Sequence, residues 1–252
     1  MLFRSRGCWF DLRAISVHSN HDRCFTTERN RLKWISIPRD ANTQIIIKGQ
    51  SLKYWPMLYS TTLTSTSFES GYCTSLEEIY IPSYYTSLYS NCMNYNTSLK
   101  RAHIPSTITS IPIACFNYCG SLREVDIPSS VTSIGDMTFA QCYSLEKVTL
   151  PPNITTINQM TFYACMSLKK IEIPDSVTSI GNYTFYNAPL EVLIMKPTAP
   201  PALGSAVFAD GLGAPGKIIV PYSADHSILN AYQTAANWSS YASRMVEEEP
   251  TI

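Results

Sequence analysis

Eight cysteines and four histidines carry the most reactive chemistry in this chain, so their spacing is the first question. Cys73, Cys119, Cys142 and Cys165 are separated by multiples of 23 residues, with Asn96 interrupting the series, and Cys92 and Cys115 are also 23 apart. Tetrahedral metal sites draw on close-spaced cysteine pairs; a uniform long period does not supply them. A small apolar thiol recurring at a fixed period fits a tight buried turn, where it packs as a hydrophobe. Equivalent side chains in a stack point the same way and not at each other, so the spacing predicts reduced, buried thiols without metal. The run His18-Ser19-Asn20-His21-Asp22-Arg23-Cys24 has ligand-like spacing but no second cluster to complete a site. His103 and His226 stand far from it. No paired carboxylates, nucleophile–base pair or glycine-rich phosphate loop is legible, so the sequence predicts no enzyme, no cofactor and no metal.

The element that must position all of these residues is a repeat. Leu76, Leu99, Leu122, Leu145 and Leu168 recur every 23 residues. Three positions after each comes Ile79, Ala102, Val125, Val148 or Ile171, and five positions after comes Ile81, Ile104, Ile127, Leu150 or Ile173. The next residue is always proline, from Pro82 to Pro174. Further on are Leu88, Ile111, Ile134, Ile157 and Ile180, then Met93, Phe116, Phe139, Phe162 and Phe185. Looser copies are Leu12-Ile15-Val17, Leu32-Ile35-Ile37-Pro38 and Leu52-Trp55-Met57 upstream, and Leu190-Leu193-Met195 with Phe208 downstream.

Apolar residues at alternate positions have the period of a strand. One such unit cannot bury its apolar side alone, whereas stacked units bury it on their neighbours, about 4.8 Å apart. Proline ends each strand because it brings no N–H to the ladder. The expected fold is therefore a mainly β solenoid of 23-residue coils. It has a parallel strand ladder, a second short extended stretch near Val131–Ile134, and a helical turn around Phe139. Ser223 to Ala236 reads as a helix within a closing cap, with Trp238 and Tyr241 covering the last coil. The expected divisions are 1–31, a degenerate or truncated N-terminal segment; 32–216, the solenoid, regular over 73–187; 217–246, the cap; and 247–252, a tail.

Two columns should project outward from the strands. One is Glu78, Arg101, Glu124, Lys147 and Lys170; the other is Tyr80, His103, Asp126, Thr149 and Glu172. Tyr80, Arg101, His103, Glu124, Asp126, Lys147, Thr149, Lys170 and Glu172 are thus the expected binding residues, on the concave face. The first column alternates in sign over four coils, and rungs this close can pair their charges, which by itself keeps an exposed sheet soluble.

Composition excludes other classes. The 19 basic and 19 acidic residues give zero net charge, so no nucleic-acid partner is expected. No apolar run approaches the ~20 residues that span a bilayer. Arg13, His18 and His21 interrupt what would be the apolar core of an export signal, so none is expected.

The stretch Cys142-Tyr143-Ser144-Leu145-Glu146-Lys147-Val148-Thr149-Leu150-Pro151, with Ile154-Thr155-Thr156-Ile157 and Phe162, resembles a BspA-like leucine-rich repeat, also called the treponemal type. The resemblance is specific over about 73–187 and looser over 32–72. Pro200-Pro201-Ala202-Leu203-Gly204, Ile219-Val220-Pro221 and Trp238 are similar to the closing segment of such proteins. The resemblance implies a leucine-rich-repeat solenoid on the cell surface or outside the cell, binding a protein or cell-surface macromolecule, with a role in adhesion. The alternative is a structural spacer, or a component of a larger assembly without its own ligand.

Overall fold

The computed structural model describes residues 77–81, 83, 85–208 and 216–248, with Tyr80 as backbone only; of the preceding chain it describes the backbone of five strands. Those are Leu2–Ser5, Cys8–Asp11, Asp22–Thr26, Gln44–Lys48 and Tyr54–Pro56. The first two pair antiparallel, and the next two pair in parallel. Of the upstream copies, Trp55 lies in the strand that pairs with Glu78–Tyr80, opposite Ile79. The copies at Leu12 and Leu32, Cys73, and the two histidines of the His18–Cys24 run lie outside the described residues.

From Leu76 onward each coil makes one main strand three positions after its leucine. Ile79, Ala102, Val125, Val148, Ile171, Leu193 and Ile218 all point inward and are buried. The parallel register sets Ile79 beside Ala102, Ala102 beside Val125, and Val125 beside Val148. Identical apolar columns thus become continuous ladders, as the repeat arithmetic requires. A second, two-residue strand follows in the coils after the first, as in Ser110–Ile111, Ser133–Ile134, Thr156–Ile157 and Ser179–Ile180.

The sequence predicts one unbroken main ladder, and the structure divides it. Tyr54–Pro56 through Lys147–Val148 form a five-stranded sheet, whereas Lys170–Ile173, Val192–Met195, Lys217–Pro221 and Met245–Glu248 form another of four. The second ladder divides one coil earlier, between Ser133–Ile134 and Thr156–Ile157. This second division lies beside Asn158. Its neighbours in the column are Gly135 and Gly181, where a Cβ would meet backbone nitrogens of the preceding coil at 2.5 Å. Asn158 carries a Cβ, and its side-chain amide donates to the Ile134 carbonyl at 2.6 Å, where at Gly135 and Gly181 the backbone N–H donates to Ile111 and Ile157. This coil is held to the third along the main strand and to the fifth along the second ladder. The main ladder divides on its far side, between Lys147–Val148 and Lys170–Ile173.

The turn side opposite the main strands is more regular. Phe116, Phe139, Phe162, Phe185 and Phe208 are buried in one column, with successive ring centroids 5.6–5.8 Å apart and planes within 9°. That is the offset stacking favoured by the ring quadrupole. Tight i→i+3 bonds such as Ala140 N–H to Met137 and Cys142 N–H to Phe139 build the turns. They do not propagate into helix, because each coil holds two residues in the left-handed region, for example Met137 (φ 55) and Gln141 (φ 61). Each such residue costs about 1 kcal/mol. In return Met137, Phe139 and Gln141 donate to carbonyls of Gln159, Thr161 and Tyr163, locking coil to coil.

The helix α1 spans Ser227–Thr234, shorter than expected, because His226 before it is left-handed (φ 56) and cannot be a helical residue. Asp225 accepts the Ser227 N–H there. Tyr232 and Trp238 are buried and donate to the carbonyls of Pro197 and Pro201, while the Asn237 amide donates to Leu203. Tyr241 meets the Phe208 ring edge-on at 5.2 Å. The segment therefore covers the last apolar coil and satisfies carbonyls left without a next coil.

Candidate strand-face site

Strand alternation sets the candidate residues on the solvent side of the main ladder. Arg101, Lys147, Lys170, Asp126, Thr149 and Glu172 are exposed, while His103 and Glu124 are partly buried. Tyr80 is in the strand, but its side chain lies outside the described residues.

The structure splits these residues into two groups. In one group, Glu78, Arg101, His103 and Asp126, the charges engage one another. Glu78 lies 3.7 Å from Arg101 and 2.9 Å from His103 Nε2, and His103 Nδ1 lies 3.7 Å from Asp126. His103 is thus wedged between two carboxylates, and replacing it would remove a partner from both Glu78 and Asp126. Further along, Glu124, Lys147 and Lys170 make no ion pair among the described residues, and Glu172 lies 3.6 Å from Lys196. Exposed pairs of this kind stabilise by about 0–1 kcal/mol, so engaged and unengaged groups differ little for the fold. They differ for a ligand, which meets Glu124, Lys147 and Lys170 without an ion pair among the described residues.

A third charged column was not anticipated from the sequence. Glu77, Lys100, Arg123, Glu146, Lys169 and Glu191 follow their leucines directly, at the same spacing as the columns already considered. Lys100 pairs with Glu77 at 3.1 Å and Lys169 with Glu191 at 3.4 Å. With the strand column it lines an open depression of about 450 Å³ that includes Arg101, Arg123, Glu124, Glu146 and Lys147. A second depression, about 560 Å³, lies where the main ladder divides and is lined by Thr149, Pro152, Glu172, Pro174, Asp175 and Lys196. Five of the nine expected residues therefore line one depression or the other.

The turn side holds the thiols. Cys119, Cys142 and Cys165 are fully buried, and each donates its S–H to a carbonyl of the preceding coil, Met93, Phe116 or Phe139, at 3.1–3.2 Å. Burial pushes all three thiols well above the usual cysteine range, which makes them poor nucleophiles. One buried column carries Thr138, Thr161 and Thr184, whose hydroxyls each donate to the carbonyl three residues back at 2.7–2.8 Å. Among the described residues no group of three His, Cys, Asp or Glu is placed to hold a metal ion, and no helix is long and apolar enough to cross a membrane.

Stacked coils, parallel ladders and a framing leucine define a leucine-rich-repeat solenoid. The chain belongs to the BspA-type leucine-rich-repeat family, whose model matches residues 61–191 as six copies. Among solved structures, a leucine-rich repeat protein from Bacteroides ovatus is similar, with 20% identity and a TM-score of 0.57 over 98% of this chain. The chain spans 66% of that protein's length. A leucine-rich repeat protein of T. pallidum is 17% identical, with a TM-score of 0.46, 81% of this chain and 89% of that one covered. A leucine rich cell surface protein from Faecalibacterium prausnitzii is 16% identical, with a TM-score of 0.34 and 88% of each chain covered. No curated protein matches the sequence.

Proposed function

We propose that this solenoid is a surface-exposed or secreted interaction module that recognises a protein through the outward face of its main strands, as in adhesion. One observation carries the reading. Core columns repeat from coil to coil, while the outward residues vary and, from the third coil onward, include charges that make no ion pair among the described residues: Glu124, Lys147 and Lys170. A rigid ladder of variable, unpaired side chains holds a binding surface at little cost to the fold. The engaged Glu78, Arg101, His103 and Asp126 favour the runner-up, a spacer, for the first coils alone.

The test is binding to a panel of immobilised extracellular-matrix proteins. The double variant Lys147→Glu/Lys170→Glu should bind its target at least about tenfold more weakly, or ~1.4 kcal/mol. Met166→Ala, an exposed residue of the turn side (54%), should leave affinity unchanged. Loss of binding in Met166→Ala with full binding in the double variant would move the site to the turns. No binding to any protein of the panel would favour the spacer.

A further inference from the structure

One pair of groups is used neither by the packing rule nor by the strand face. In the buried column that carries Thr138, Thr161 and Thr184, the two preceding coils have Cys92 and Cys115. In the threonine coils each hydroxyl donates to the carbonyl three residues back. In the cysteine coils the sulfurs face each other instead, Sγ to Sγ 3.2 Å, both fully buried. The expectation that ladder thiols point in parallel holds for Cys119, Cys142 and Cys165, each held on its carbonyl, and fails at this rung.

We propose that Cys92 and Cys115 are a disulfide-forming site that staples two successive coils. The backbone suits the bond. Met93 N–H donates to the Cys115 carbonyl at 2.9 Å and Asn91 N–H to Ile113 at 2.9 Å, so the two cysteines sit on directly adjacent rungs. Adjacent rungs are roughly 4.8 Å apart, within the ~4.4–6.8 Å that disulfide Cα pairs span. The sulfurs need to close by only about 1 Å, a small χ1 rotation of each side chain.

The oxidant is a disulfide, small or protein-borne. One cysteine thiolate attacks a sulfur of the oxidant, forming a mixed disulfide and expelling one thiolate; the second cysteine then displaces the other. Two thiols lose two electrons and two protons, and the oxidant is reduced to two thiols. Burial, with Cys92 alongside, pushes the Cys115 thiol well above the usual range, and exchange requires a thiolate. The bond is therefore made while the coils are still closing on each other, in an oxidising compartment, and is shielded from reductants once they have closed. It would close a loop that spans one coil, where chain-entropy stabilisation is substantial.

The test uses the full chain, unfolded in reductant and refolded with a glutathione and glutathione-disulfide buffer. Remaining thiols are then alkylated under denaturing conditions, and the unreduced digest is sequenced by tandem mass spectrometry. The expected product is a cross-linked peptide joining Cys92 to Cys115, together with a melting temperature roughly 5–10 °C above that of the reduced protein. Cys115→Thr and Cys92→Thr, which place there the residue that the next three coils accept, should each abolish the cross-link and the oxidised-minus-reduced melting difference. A natively folded wild type without the bridge overturns the proposal. So does either cysteine bridged to a different partner, or a melting difference that survives in both threonine variants.

Discussion

The turn side and the strand face of this solenoid are built from the same coils, yet they constrain sequence in opposite ways. On the turn side nearly every position has a structural reason. Phenylalanines stack in one column, threonines and cysteines satisfy buried carbonyls, and left-handed residues aim N–H groups at the next coil. On the strand face the backbone pairs by itself, so an outward side chain need only avoid a neighbour. Coil-to-coil locking thus resides in the turns and leaves the strand face open to function.

The strongest test of this division is to remove the cap. Truncation after Gly216 would strip Tyr232 and Trp238 from the last coil and leave the Pro197, Pro201 and Leu203 carbonyls unpaired. It would also expose an unpaired strand edge, which recruits other chains. Aggregation or loss of cooperative unfolding is expected; a soluble monomer with unchanged melting would contradict it.

Next in size is Phe162→Ala, which empties the middle of the ring column. Large-to-small core changes of this kind cost about 3–5 kcal/mol. Lys147→Ala, in the same coil on the strand face, should cost under ~0.5 kcal/mol. Urea denaturation of both variants sharpens the comparison, and similar losses would break it.

A smaller effect is expected at Gly181, where a Cβ would lie 2.5 Å from the Gln159 nitrogen. Backbone cannot yield as a flexible side chain does, so Gly181→Ala should open a second seam like that at Asn158 and cost about 1–3 kcal/mol. Faster amide exchange at Gly181 and Ile180 would show the seam directly.

The smallest effect is at the cap in acid. The hydrogen bond from His226 at 2.6 Å holds the Glu247 carboxyl below its ordinary 4.5, with Ser223 adding to it. A carboxyl depressed in the folded state stabilises above its unfolded pKa and loses that contribution as pH falls through the folded one. Melting should therefore decline slightly below about pH 4.5, and less so in Glu247→Gln.

The frame of the fold was legible because its columns are single residue types at one spacing. Leu122, Val125 and Phe139 declare their roles by recurrence. The left-handed positions were not legible, because Met137, Met160 and Tyr183 bear no glycine to mark them. The second ladder divides beside Asn158, where the column otherwise has Gly135 and Gly181, a change too small to disturb the period. On the strand face, alternation identified the outward residues but not their pairing. That His103 lies between Glu78 and Asp126 depends on side-chain reach. The column from Glu77 to Glu191 lay one residue before the strands and outside the alternation rule.

The most direct measurement is amide hydrogen exchange on the full chain, with and without a matrix protein captured by the binding panel. If the strand face recognises and the turns only hold, added protection will be confined to 124–126, 147–148 and 170–173 and the residues beside them. Protection centred on the turn segments 137–142 and 160–165, with the main strands unchanged, would contradict that account.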